Sequence, residues 1–99
     1  MATHTLRDHA EIERDRAERL AALERDHGDD PAWRESFAPG TFGCHEALHL
    51  ASVLERLIDD SLSDHPAVVL NPRWFELASH VGDALAELYQ EIGRAHLKA

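Results

Sequence analysis

Apolar residues recur along this chain at helical spacing, and nowhere do they alternate with the period of two that marks a strand. Between Phe42 or Gly43 and Ser63, the residues Ala47, Leu50, Ala51, Leu54, Leu57, Ile58 and Leu62 fall on one stripe at about 100° per residue. That pattern predicts an amphipathic helix with Thr41 as its cap. Asn71-Pro72, a capping residue followed by proline, opens a longer one reaching roughly His96. Its apolar residues form two rows: Phe75, Ala78, Gly82, Leu85, Tyr89 and Ile92, then Trp74, Leu77, Val81, Ala84, Leu88 and Ala95. Glu76, His80, Asp83, Glu87, Gln90 and Arg94 take the opposite, wet face.

The first part of the chain carries a weaker pattern. Thr5 to His27 contains no Gly or Pro and is rich in Ala, Leu, Glu and Arg, which predicts a helix. Thr5 is its expected cap, with Asp8 three residues on as a loose capping box. Its apolar side chains (Leu6, Ala10, Ile12, Ala17, Leu20, Ala21, Leu23) make only a narrow edge, while five arginines and seven acids interleave between Arg7 and Asp26. Pairs such as Glu11/Arg14 and Asp15/Arg19 have the spacing for ion pairs along a solvated helix. Residues 28–41 form a connector in which Asp30-Pro31 starts a short turn and Trp33 and Phe37, four apart, are expected as a lid on the core. His65-Pro66 to Leu70 is a short apolar bridge of unassigned form.

These elements define an all-α fold, one helical domain over residues 1–99 with helices at about 5–27, 42–63 and 72–96. The architecture is a helical hairpin with a charged N-terminal helix. A face as broad as that of the last helix needs two neighbours, and the N-terminal helix is too polar to be a generous second. The expectation is therefore that the chain completes its core by homo-oligomerisation, as an antiparallel dimer or a higher assembly. Gly82 beside Ala78 lets backbones approach closely there.

Charge narrows the partners. Nineteen acids against ten bases leave −9 with histidine neutral, a field that disfavours nucleic acid and anionic membrane and suits a basic protein surface. Eight histidines would carry the chain towards neutrality as pH falls from roughly 6.5 to 5, with self-association expected to rise. A single cysteine, Cys44, allows no internal disulfide and suits a reducing compartment. No apolar run reaches the length of a signal peptide or transmembrane helix, so the expected location is the cytoplasm.

One segment offers chemistry. Cys44-His45-Glu46-Ala47-Leu48-His49 contains His-Glu-x-x-His on a predicted helix, where histidines four apart project side by side. Over those five residues it resembles the zincin metalloprotease motif. The resemblance implies zinc held by His45 and His49, Glu46 as general base, and a metal-dependent hydrolase or metal-binding protein. Glu76, His80 and Glu87 are the conceivable third ligands. Glu46-x-x-His49 also has the spacing of ferritin-like di-iron helices, a site that would need a second subunit and Glu18 or Glu24. On the helical wheel His45 lies opposite Leu54 and His49 about 40° further round, beside Arg56 and away from the apolar stripe. Cys44, near a helix start, is read as an idle or buried thiol.

The aromatics Trp33, Phe37, Phe42, Trp74, Phe75 and Tyr89 are expected to cluster at the connector and the start of the last helix, with Arg34 and Arg73 beside the two tryptophans. At a subunit boundary they would stack a planar, nucleotide-like ligand and neutralise its phosphate. With no glycine-rich phosphate loop and no outstanding catalytic constellation, the leading expectation is a small acidic, non-catalytic interaction protein without cofactor. It would bind itself, a basic protein surface or a small ligand. By size and charge alone it compares with phage-type inhibitors and adaptors.

Overall fold

The computed structural model describes residues 7–99, and these form helices and turns with no strand among them. The chain divides into two units, one ending at Trp33 and the other running from Arg34 to Ala99.

The first unit is built on α1, His9–Asp26. The cap expected at Thr5 lies outside the described residues. Asp8 caps this helix instead, its carboxylate accepting the N–H of Glu11 at 2.8 Å, which satisfies one of the donors that a helix start leaves unpaired. The polar faces of α1 are laced by ion pairs: Asp15 with Arg19 at 2.8 Å and with Arg7 at 3.2 Å, and Glu13 with Arg16 at 2.5 Å. The helix ends where the His27 N–H reaches the Leu23 carbonyl, and His27 then stacks on Trp33 with ring centroids 5.0 Å apart.

The second unit is a helical hairpin. A single 3₁₀ turn, Glu35–Phe37, precedes α2, Phe42–Leu57. Thr41 caps α2 as its sequence predicts, accepting from the Cys44 N–H at 3.3 Å while its hydroxyl donates to the Ala38 carbonyl at 2.6 Å. Gly40 supplies the turn ahead of it with a φ of 88°, a conformation that a Cβ would strain. The helix does not stop at Leu57: it widens into a π-turn over Ile58–Leu62, closed by the Ser63 N–H on the Ile58 carbonyl.

Three helices were expected, and the chain adds a fourth. The apolar bridge is α3, Pro66–Val69, with Pro66 in the first position and His65 as its cap. The His65 Nδ1 accepts the Ala67 N–H at 3.1 Å, a role more familiar from Ser, Thr, Asp or Asn, which is why the sequence left the segment unassigned. The longest helix, α4 (Pro72–Lys98), begins as predicted with Asn71 accepting from the N–H groups of Arg73 and Trp74 at 3.1 and 3.2 Å.

α4 runs back along α2 in the opposite direction. Gly40 and His45 meet His96, Leu48 lies over Gly93, and Ile58 and Asp59 lie over Gly82. Along this seam larger side chains of one helix sit over glycines of the other. Ala51 and Ala78 are the buried residues of the described chain, and no large side chain is fully buried.

Candidate interaction surface

The hydrophobic stripe of α2 does not face α4. The positions of α2 and its π-turn that lose most exposure are Gly43, Cys44, Leu48, Ala51, Ser52, Glu55, Ile58 and Ser63 at its end, a set rotated by roughly a quarter turn from the predicted stripe. Leu50, Leu54, Leu57 and Leu62 are consequently exposed. The expectation that this stripe is buried within the chain is corrected. The seam is made where Gly82 and Gly93 of α4 receive Ile58 and Leu48, large side chains seated on glycine.

The two rows of α4 part company in the same way. Ala78, Gly82, Leu85 and Ile92 of the first row are buried or half-buried towards α2. Most of the second row stays open, with Trp74 54% exposed, Val81 46% and Leu88 49%. Glu76, His80, Asp83, Glu87, Gln90 and Arg94 are all exposed on the far side, as their spacing predicts.

Because the helices are antiparallel and each is turned by that seam, the exposed leucines of α2 and the open row of α4 come to the same side of the hairpin. Where α3 meets that side, Leu62, Val68, Trp74, Leu77, Ala78 and Val81 line an open apolar hollow of about 290 Å³. The other side is mixed: His45, His49, Ser52 and Arg56 on α2 and Ser79, Asp83 and Gln90 on α4 share it with a smaller apolar strip of Leu48, Tyr89 and Leu97. The hairpin is amphipathic as a two-helix layer, with one apolar broad face.

The histidine motif lies off this face. His45, Glu46 and His49 are exposed on α2. His45 borders the seam, its ring 5.5 Å from that of His96. His96 is not free to turn to a metal as it stands: its Nδ1 accepts the Gly40 N–H at 2.9 Å, which places the proton of a neutral ring on Nε2. Among the described residues, no three His, Cys, Asp or Glu side chains converge on a point where an ion would sit. Glu76, His80 and Glu87 project from the wet side of α4 and join no such group. Cys44 is half-buried.

Nor do the aromatics assemble in the second unit. Phe37 packs against Gly43 and, with Phe42, lies at the end of the hairpin where Gly40 reaches Ala99. Trp74 and Phe75 open α4, some 35 Å away by the rise of about 1.5 Å per residue. Tyr89 stands between. Arg73 pairs with Glu76 at 3.6 Å rather than standing ready for a phosphate. Trp33 and Phe37, expected as one lid, fall in different units, as do Trp33 and Arg34. Trp33 stacks on His27, a partnership that sequence spacing did not single out.

No protein-family model matches the sequence, and comparison with curated proteins and with solved structures likewise found no match.

Proposed function

We propose that this chain is a small acidic, non-catalytic interaction protein that binds another polypeptide through the open apolar face of its hairpin. One observation carries this reading. Leu50, Leu54, Leu57, Leu62, Trp74, Val81 and Leu88 are large, apolar and exposed, and they share one side of a two-helix layer. Single exposed leucines are ordinary, whereas a contiguous patch of roughly 600 Å² lies at the top of what small monomers expose, where such patches are often functional. The hollows in the chain are open surface features rather than enclosed chambers, and a shallow apolar groove suits a helix or a flat face better than a reacting small molecule.

Footprinting of the full chain with a photogenerated carbene, read by mass spectrometry at several concentrations, tests this. At the lowest concentration Trp74, Val81 and Leu88 should be labelled, or else protected in a species heavier than one chain. Protection of all three in a particle of single-chain mass would overturn the proposal, because the face would then be closed by the chain itself.

A further inference from the structure

Resting on that reading of the apolar face, we infer that its occupant is a second copy of this chain, with α4 packed antiparallel on α4 of the copy and crossing near Val81. Three features select this occupant. The first is charge. Between Trp74 and Leu88 the face presents leucine, valine, alanine and tryptophan with no acid among them. Glu76, Asp83 and Glu87 sit on the far side of α4, and Glu91, one heptad beyond Ala84, borders the end of the face and is paired with Arg94. A basic partner would leave its cations unpaired there, so the face suits an uncharged apolar surface, and its own is one.

The second feature is spacing. Trp74 and Leu88 stand seven residues to either side of Val81, two helical turns each way, and Ala78 and Ala84 stand three to either side. A two-fold axis at Val81 therefore sets Trp74 of one copy against Leu88 of the other, with the exposed Ala84 between the two long contacts. This is the self-complementarity that an isologous interface demands. The leucines of α2 lie on the same side, so the two hairpins close into a four-helix bundle with every neighbouring pair antiparallel.

Area supplies the third. The exposed parts of the seven large residues come to roughly 600 Å², against about 800 Å² per partner for a standard stable interface, and the half-buried Ile58, Leu77 and Leu85 line the same side. A hairpin with only Ala51 and Ala78 buried has little core of its own. Its covering surface must be at hand whenever it folds, and a second copy always is. By contrast α1 offers only Ile12, Leu20 and Leu23 as large apolar side chains.

Sedimentation of the full chain at tens of micromolar should give twice the single-chain mass. Val81→Asp should reduce it to one. Since that variant could also unfold the hairpin, a second measurement uses cysteines placed in a Cys44→Ser background. Oxidation of Val81→Cys should link two copies nearly completely, whereas Asp83→Cys, on the wet side of the same helix, should link few. A single-chain mass at tens of micromolar overturns the inference, as does a dimer that links through position 83 in preference to 81. If the single chain is nevertheless labelled at Trp74, Val81 and Leu88, the proposed interaction face survives and only its occupant is wrong. A single chain protected at all three removes both.

Discussion

The backbone N–H of Gly40 donates to Nδ1 of His96 over 2.9 Å, tying the turn that launches α2 to the last turn of α4. This bond spans 56 residues of sequence and closes the hairpin at the end opposite α3. It also fixes which nitrogen of a neutral His96 carries the proton, with His45 as the adjoining ring.

His96→Ala removes the acceptor and should destabilise the folded chain by about 1 kcal/mol, the usual net worth of a partly exposed hydrogen bond. Gly40→Ala should cost a comparable amount for a different reason, since φ is 88° and its Cβ would come within 2.9 Å of the Ala99 Cβ. Urea denaturation of the two variants and of the wild type measures both. Losses below about 0.3 kcal/mol would mean that the closure contributes little.

Two glycines of the helices should answer alanine in opposite senses. At Gly43 a Cβ would collide with the Ser36 carbonyl oxygen and the Phe37 ring, so Gly43→Ala should destabilise by about 1–3 kcal/mol despite the better helix former. At Gly93 the nearest atom is Leu48 Cδ1 at 3.6 Å, an ordinary contact, so Gly93→Ala should stabilise by about 0.5–1 kcal/mol through the backbone entropy it saves. Thermal melts of the two variants should move to opposite sides of the parent.

In α1, the Arg19 and Arg7 guanidinium groups bonded to Asp15 hold its carboxyl below the ordinary 3.8, Arg19 exerting the larger effect. Arg16 lowers Glu13 in the same way. A carboxyl lowered by folding stabilises the folded state above its unfolded pKa, and that contribution fades as pH falls through the folded value. Glu13 is exposed and Asp15 only half-buried, so the effect should be small and sensitive to salt. Carbon-detected NMR titration should place the Asp15 midpoint below 3.8 at low ionic strength and move it upward in 1 M salt or in Arg19→Ala. A midpoint unmoved by both would exclude the pair in solution.

The His45-Glu46-x-x-His49 segment should prove dispensable for the fold. Zinc at one equivalent, or a chelator in excess, should leave the melting temperature within about 1 °C, and so should His49→Ala, an exposed surface change. Untagged protein should purify with metal well below one ion per chain. Stoichiometric zinc together with a rise in melting temperature would restore the metal reading, with the missing ligand supplied from a second chain.

Much of the secondary structure was legible because it is written in short-range chemistry. Thr41 and Asn71-Pro72 mark helix starts by side-chain oxygens and a fixed proline φ, effects that act within four residues. The wet side of α4 follows from spacing alone. His65 escaped notice because imidazole is an uncommon cap, and the start at Asp8 because two capping residues stand three apart near the N-terminus.

The face of α2 that meets α4 was not legible. Periodicity locates the apolar stripe around Leu54, and hydrophobicity says that such a stripe is to be covered, but it does not say by what. The seam with α4 competes for the same helix, with Ile58 seated over Gly82 and Leu48 over Gly93, where the missing Cβ leaves room for a larger side chain. The placement of the aromatics was not legible for a related reason: Phe42 and Trp74 look alike in sequence, yet antiparallel pairing sends them to opposite ends of the hairpin.

Helix positions, caps and the sidedness of each helix were thus determined by the chain's local order, because backbone hydrogen bonding and side-chain periodicity are properties of a few consecutive residues. Which side of α2 meets α4, the link between His96 and Gly40, and the gathering of Leu54 and Val81 onto one open side were decided only in three dimensions. Those depend on how closely two backbones can approach, and that distance is set by pairs far apart in the sequence, such as Ile58 with Gly82 and Leu48 with Gly93.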